Sequence, residues 1–391
     1  MTTNFKQNGV DIDQLLITKT NAALIPASFR NQNSGYSWPI TRGSLWVWGY
    51  NLNGELGLGD TNHRSSPVQV GSLTDWALIS GGYNHSIAIK TSGGLWGWGN
   101  NLRGELGLGD TNHRSSPVQV GSLTDWALIS CGHNHSIAIK TSGGLWGWGY
   151  NYFGQLGLGD RTHRYSPVQV GSSIDWKLIA CGFNHSLAIK TDGSIWSWGY
   201  NSYGQLGLGD TTVRSSPSQV GSLTNWQSIS CGSNHSLATK TDGSLWGWGL
   251  NNYGQLGVND VSSRSSPIQV GSLFNWRSIA GGSYYSLAIK TDGSLWGWGF
   301  GGWGQVGLSD LSNKSSPVQI GSLTDWKSTT GGDNHTLATK TDGSLWSFGY
   351  NGWGQLGLND RTDRYSPVRV GSLTNWQSIS SSSNQSLAIS Q

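Results

Sequence analysis

The sequence predicts an all-β fold, a seven-bladed β-propeller with four short strands in each blade. Residues 43–391 repeat with a period of 50 and without insertion or deletion, so seven repeats fill this range. Strand-sized runs alternate with clusters of Gly, Asn, Asp and Ser, and no window keeps a helical period. Gly (59 of 391 residues) and Trp (23) are enriched, which suits tight turns and a core of large side chains. The repeats begin at residues 43, 93, 143, 193, 243, 293 and 343.

The first strand of each repeat carries two large side chains separated by one residue, which is small in every repeat but the first. In the fifth repeat Trp246 and Trp248 flank Gly247. Because successive side chains of a strand point to opposite faces, both Trp side chains lie on one face and Gly247 leaves the other nearly bare. Such a blade can nest against an identical neighbour, and a closed ring of blades leaves few free strand edges.

The hairpin turns predict how the ring closes. The ThrAspGlySer sequence at 241–244 joins two strands of one sheet, with Gly supplying the unusual backbone angle. The array starts, however, with the Trp-bearing strand at 44–48 and ends with the strand-like run 385–390. One blade must therefore be shared between the N-terminal strand and the C-terminal strands.

Composition restricts the function classes. Charged residues make up 12% of the chain and the net charge is +3, which is too small and too evenly spread for a nucleic-acid interface. No run approaches the 18 apolar residues of a membrane span, and the first thirty residues lack a secretory signal pattern. We expect no membrane insertion, and a virion or cytoplasmic location.

Three sets of polar residues recur at fixed repeat positions, and each is interpreted as structural. We expect the histidines to hydrogen-bond nearby backbone, the cysteines to be small buried thiols without disulfides, and the acid–base pairs to brace their own loops. A reaction centre is normally one asymmetric constellation rather than seven copies, so no catalytic residue, metal site or cofactor is predicted, and the chain is not expected to be an enzyme. The sets are His85, His135, His185, His235 and His335; Cys131, Cys181 and Cys231; and Asp60, Asp110, Asp160, Asp210, Asp260, Asp310 and Asp360 with the basic residue four positions later.

The positions that differ between near-identical repeats are the candidates for binding. One position becomes aromatic on five consecutive repeats, and a ring of aromatic side chains around one rim would suit a glycan or a protein partner. Packing of these side chains on their own loops is the structural alternative. The candidate rim residues are Phe153, Tyr203, Tyr253, Trp303 and Trp353. A second variable position reads Tyr83, His133, Phe183, Ser233, Ser283, Asp333 and Ser383.

The repeat motif resembles that of the regulator of chromosome condensation family. The resemblance rests on LeuTrpGlyTrpGlyTyrAsn, GlyGlnLeuGlyLeuGlyAsp, SerPro and CysGly-x-AsnHisSerLeuAla, and it covers residues 43–391. It implies a seven-bladed propeller. The family's best-known activity, guanine nucleotide exchange on a small nuclear GTPase, uses a loop inserted in one blade, and its chromatin binding uses a basic N-terminal tail. This sequence has no inserted loop, and residues 1–42 contain only four basic residues.

Residues 1–42 lie outside the array and form a predicted anchor or cap segment with a linker. The sequence Phe-Lys-x-Asn-Gly-x-Asp-Ile at 5–12 resembles the openings of some tailed-phage virion proteins, in which such a segment attaches a display domain. The candidate partner-anchor residues are Phe5, Val10, Ile12, Leu15 and Leu16.

Three functions follow from these observations. The first is a non-enzymatic display or adhesion protein, for example on a virion, which binds a protein or a surface glycan through its rim and assembles through residues 1–42. The second is an intracellular protein–protein scaffold, and the third is an exchange factor.

Overall fold

Residues 42–391 are described by the computed structural model, and they form strands joined by turns. The predicted anchor residues of the N-terminal segment lie outside this range. No helix long and apolar enough to cross a membrane occurs in residues 42–391. The strands are β1 (Ser44–Gly49), β2 (Arg64–Gln69), β3 (Trp76–Gly81), β4 (His85–Lys90), β5 (Leu95–Gly99), β6 (Arg114–Gln119), β7 (Trp126–Cys131), β8 (His135–Lys140), β9 (Leu145–Gly149), β10 (Arg164–Gln169), β11 (Trp176–Cys181), β12 (His185–Lys190), β13 (Ile195–Gly199), β14 (Arg214–Gln219), β15 (Trp226–Cys231), β16 (His235–Lys240), β17 (Leu245–Gly249), β18 (Arg264–Gln269), β19 (Trp276–Gly281), β20 (Tyr285–Lys290), β21 (Leu295–Gly299), β22 (Lys314–Gln319), β23 (Trp326–Gly331), β24 (His335–Lys340), β25 (Leu345–Gly349), β26 (Arg364–Arg369), β27 (Trp376–Ser381) and β28 (Gln385–Ser390).

The strands form seven antiparallel sheets of four strands each, which are the blades of a propeller. Six blades each use four consecutive strands, such as β3 to β6, with β3 innermost and β6 outermost. The seventh blade has the order β2-β1-β28-β27, and Leu45 of β1 pairs with Ile389 of β28. The predicted propeller and its shared blade are confirmed, with two strands contributed by each end of the described chain.

The core consists of Trp-centred clusters between neighbouring blades. Trp98 is fully buried and Trp96 half-buried, and both rings meet the ring of Trp76 at centroid distances of 6.0 and 6.2 Å. Their shared cluster confirms that the two Trp residues of a strand face the same way. The Trp98 indole N–H donates to the Glu55 carbonyl at 2.8 Å, so its buried polar atom is satisfied. Burying one Trp removes roughly 150–250 Å² from water, which corresponds to about 4–6 kcal/mol.

The connections between strands define two faces of the ring. The upper face consists of loop 50–63, turn 82–84 and their equivalents in the other repeats, whereas the lower face consists of loop 70–75, turn 91–94 and their equivalents. In the 241–244 turn Gly243 has a φ of +81°, and a Cβ there would lie 2.2 Å from the Phe274 carbonyl oxygen. Gly is therefore required both by the turn and by the neighbouring loop.

Candidate functional site

The upper face is built on a loop that each repeat stabilises with its own polar side chains. In the fourth repeat the Asn201 side chain accepts the Leu206 N–H at 2.9 Å and donates to the Asp210 carbonyl at 3.1 Å. Asp210 accepts the Thr212 N–H at 2.9 Å and pairs with Arg214 at 2.6 Å, and these contacts lower its pKa. The acid–base pairs thus brace their own loops, as predicted. The equivalent pairs are Asp60–Arg64, Asp110–Arg114, Asp160–Arg164, Asp260–Arg264, Asp310–Lys314 and Asp360–Arg364.

The recurring histidines link neighbouring blades. His135 Nε2 lies 3.1 Å from the Ser186 hydroxyl of the next blade, and both side chains are buried. Because the Ser186 hydroxyl donates its proton to the Gln155 carbonyl, the imidazole must donate through Nε2–H. The histidines are therefore structural, but the predicted backbone partner was wrong: the acceptor is a serine hydroxyl that the stacking of consecutive blades brings near. The same contact occurs at His85, His185, His235 and His335.

Burial keeps these imidazoles neutral. Desolvation lowers the pKa of His135 to about 3. Within residues 42–391 no group of three or more His, Cys, Asp or Glu side chains is arranged to hold a metal ion. Tyr285 and Gln385 occupy the same position in two repeats and also bond to the next blade, through the His335 carbonyl at 2.5 Å and the His85 carbonyl at 3.2 Å.

The three cysteines are free thiols on adjacent blades. Cys131, Cys181 and Cys231 lie on the innermost strands and line the central channel, with no disulfide. Cys131 is buried and the other two are partly buried, each with its sulfur 3.4–3.5 Å from a backbone carbonyl of the preceding blade. Burial raises the pKa of Cys131 to about 12, so its thiol stays protonated and is a poor nucleophile.

The candidate rim residues all lie on the upper face, where four of the five pack across blade boundaries. The Trp303 ring meets Tyr350 of the next blade at 5.2 Å between centroids, and Tyr253 meets Phe300 at 5.0 Å. Trp303 and Tyr203 remain 43% and 41% exposed. The remaining contacts are Phe153 with Tyr200, Tyr203 with Tyr200, and Trp353 with Tyr50 and His63. Four rim residues thus form aromatic contacts at blade junctions, whereas Tyr203 packs on Tyr200 of its own loop and Phe153 also meets Tyr152 of its own loop.

The partners of the rim residues were missed by the sequence reasoning. They occupy the position directly after the Trp-bearing strand, which reads Tyr50, Asn100, Tyr150, Tyr200, Leu250, Phe300 and Tyr350. This position also varies between repeats, which was the available signal. In the second repeat Arg103 replaces the rim aromatic residue and lies over the Tyr150 ring at 5.5 Å. The same geometry therefore tolerates a cation–π contact.

Family models cover the chain from residue 42 to its end. A model described as RCC1-like domain matches residues 179–391. A model of the regulator of chromosome condensation (RCC1) repeat matches residues 42–89, 92–139 and 142–189, and a second repeat model matches 76–105 and 126–155. No curated protein sequence matches significantly.

Solved structures with the same fold include yeast and human proteins. Prp20p from Saccharomyces cerevisiae, which was studied for binding to Gsp1p and histones, is 22% identical with a TM-score of 0.81, over 95% of this chain and 94% of that chain. Human WBSCR16 is 22% identical with a TM-score of 0.80, and the match covers 89% of this chain and 99% of that chain. Yeast RCC1 (Prp20) bound to Kap60 is 21% identical with a TM-score of 0.81, and the match covers 100% of this chain and 95% of that chain. At these identities the likeness establishes the fold.

Proposed function

Because the chain belongs to the family of proteins built from regulator of chromosome condensation repeats, we propose that it is a non-enzymatic binding protein whose upper face recognises a partner protein. The single observation that carries the proposal is the set of aromatic pairs at the blade junctions of that face. Large side chains that are held by a neighbouring ring and still two-fifths exposed lose little freedom on binding, as at Tyr203 and Trp303.

The fold relatives support this choice of ligand class. Prp20p was characterised for its binding to Gsp1p and histones, and yeast RCC1 was solved with Kap60 bound. All of these partners are proteins. The glycan ligand, the virion location and assembly through residues 1–42 rest on the sequence alone and stay predictions.

The test compares two double variants of the full chain as immobilised bait. Tyr203→Asn with Trp303→Asn removes the two most exposed rim rings, and Asn already stands at this position as Asn53. Leu223→Ser with Leu323→Ser changes the lower face, where Ser173 is the natural equivalent. Proteins retained from an extract of the native source are quantified by mass spectrometry, and the affinity of each purified candidate is then measured.

We expect a partner that binds the wild-type chain and the lower-face variant alike and binds the upper-face variant about tenfold or more weakly, because loss of one hot-spot residue costs about 2 kcal/mol. Equal binding to all three baits would contradict the proposal. Retention of glycans by the upper face, with no protein retained, would contradict the choice of a protein ligand.

A further inference from the structure

The second variable position of the repeats surrounds the upper mouth of the central channel. These seven residues line a cavity of about 180 Å³ on the propeller axis. Backbone hydrogen bonds connect neighbouring blades here, from Tyr83 N–H to the His133 carbonyl at 3.3 Å and from Phe183 N–H to the Ser233 carbonyl at 3.1 Å. The channel mouth is therefore a rigid ring whose side chains differ from blade to blade. Its members are Tyr83, His133, Phe183, Ser233, Ser283, Asp333 and Ser383.

One half of the channel mouth is aromatic. The Tyr83 and His133 rings lie 4.0 Å apart between centroids, and the His133 and Phe183 rings lie 3.7 Å apart. Burial lowers the pKa of His133 to about 4, so the imidazole is neutral near pH 7 and adds no positive charge. These three rings form a continuous wall of uncharged aromatic surface.

The other half is polar and centred on one carboxylate. Asp333 accepts hydrogen bonds from the hydroxyls of Ser283 at 2.7 Å and Ser383 at 2.8 Å, and the Ser233 hydroxyl lies 2.8 Å from that of Ser283. Asp333 is the one acidic residue among those lining the cavity. No ion pair to it occurs within residues 42–391, and burial raises its pKa.

We propose that the channel mouth binds an organic cation, the alkylammonium or guanidinium end of a narrow unbranched chain. Asp333 is its counter-ion, the serine oxygens accept its remaining N–H groups, and the wall of Tyr83, His133 and Phe183 contacts its methylene groups. Asp333 is half-buried. A partly desolvated carboxylate without a cationic partner is costly, and an incoming cation reduces that cost. The uncharged rings offer apolar surface that the methylene groups can cover. The site does not include the rim residues or a partner protein bound to them. Its test is therefore independent of the function proposed above.

The test is calorimetric titration of the full chain with n-butylammonium and with n-butanol, its neutral analogue. We expect one butylammonium site per chain and no comparable butanol binding. Asp333→Ser should weaken butylammonium binding about tenfold or more by removing the charge, and Phe183→Ser should weaken it several-fold by opening the wall. Serine stands at this position in three repeats, so both variants keep a residue that the ring already accommodates.

Asp325→Asn is the matched control for charge. This aspartate pairs with Lys340 at the lower face, and asparagine is the natural residue at 225, 275 and 375. The control should bind butylammonium as the wild-type chain does. The proposal is overturned if the wild-type chain binds no butylammonium, if butanol binds equally well, or if Asp333→Ser keeps the wild-type affinity.

A second titration separates the two sources of the cation. The probes are n-butylammonium and the peptide acetyl-Gly-Lys-Gly-amide, which presents the same group on a backbone. Tighter binding of the peptide supports a protein side chain as the ligand, and equal binding supports a free amine. Loss of both with Asp333→Ser is required in either case.

Discussion

Glu55 and Glu105 occupy a buried position where the other five repeats have Gln. The Glu55 carboxylate accepts the backbone and side-chain N–H groups of Asn53 at 2.8 and 2.7 Å, and Glu105 accepts the Arg103 N–H at 2.8 Å. Despite these bonds, burial raises the pKa of both carboxyl groups. Each glutamate therefore costs stability once it is ionised.

Replacing both residues by Gln should stabilise the protein at pH 7. An acid whose pKa is raised by folding contributes its full stability below the unfolded pKa of about 4.3 and loses it as the pH rises through the folded value. At pH 7 we expect Glu55→Gln with Glu105→Gln to raise the free energy of unfolding by about 1–3 kcal/mol, measured by chemical denaturation. The gain should shrink as the pH is lowered toward 4.3.

The reverse change provides the control for this prediction. Gln155 donates to Asn184 at 3.2 Å and accepts the Phe153 N–H at 3.0 Å, and Gln155→Glu should lose stability at pH 7. A gain in the Gln variants that is the same at every pH would show that packing, rather than ionisation, is responsible.

At the scale of the strand, the second strand of each blade carries the inter-blade hydrogen bonds. His185 Nε2 and the Ser236 hydroxyl lie 3.0 Å apart, and burial lowers the pKa of His185 to about 3. A histidine with a lowered pKa binds fewer protons in the folded state. Stability is therefore lost as the pH falls below about 6.5, by about 1.4 kcal/mol per pH unit for each such residue, until the folded pKa is reached.

His185→Gln should make the protein less sensitive to acid. Gln385 shows that an amide at this position can reach the next blade, since it donates to the His85 carbonyl at 3.2 Å. We expect the loss of unfolding free energy between pH 6.5 and 5 to be smaller in the variant by about 2 kcal/mol. If His185→Gln keeps the wild-type pH dependence, the buried imidazole is not the source of acid sensitivity.

Local and periodic features were predictable from the sequence, whereas contacts between blades were not. The turn at Gly243, the face shared by Trp246 and Trp248, and the loop pair of Asp210 with Arg214 depend on neighbours within one repeat. The bond from His135 to Ser186 joins residues 51 positions apart, and it depends on how blades stack. The rim pairs have the same origin, because Trp303 meets Tyr350 across a junction that no single repeat contains.

For the whole molecule, closure of the ring depends on the blade shared by β1, β2, β27 and β28. Residues 43–391 are one residue short of seven full periods. The register of β28 with β1 pairs Ser390 with Ser44, so Gln391 takes the first position, and Gly43 and Ser44 take the last two, of a four-residue hairpin turn such as 91–94. A single residue between Gln391 and Gly43 would complete the turn. The shared blade thus replaces one covalent turn with backbone pairing between the two ends of the array.

Two circular permutants, both with Gln391 joined to Gly43 through one Asp, test whether the shared blade holds the ring closed. The first is opened in the hairpin turn 191–194, so that β12 still pairs with β13 and a blade remains shared between the new ends. The second is opened in loop 171–175, so that every blade is continuous and the first and last blades meet through packing and inter-blade hydrogen bonds but without strand pairing. In the first permutant the ring can open only if the pairing of two strands breaks. In the second permutant the ring can open without any loss of strand pairing. We expect the second to melt roughly 5 °C lower and to be cleaved faster by protease at the new junction. Equal melting temperatures and equal cleavage rates would show that inter-blade packing and hydrogen bonds close the propeller without strand pairing.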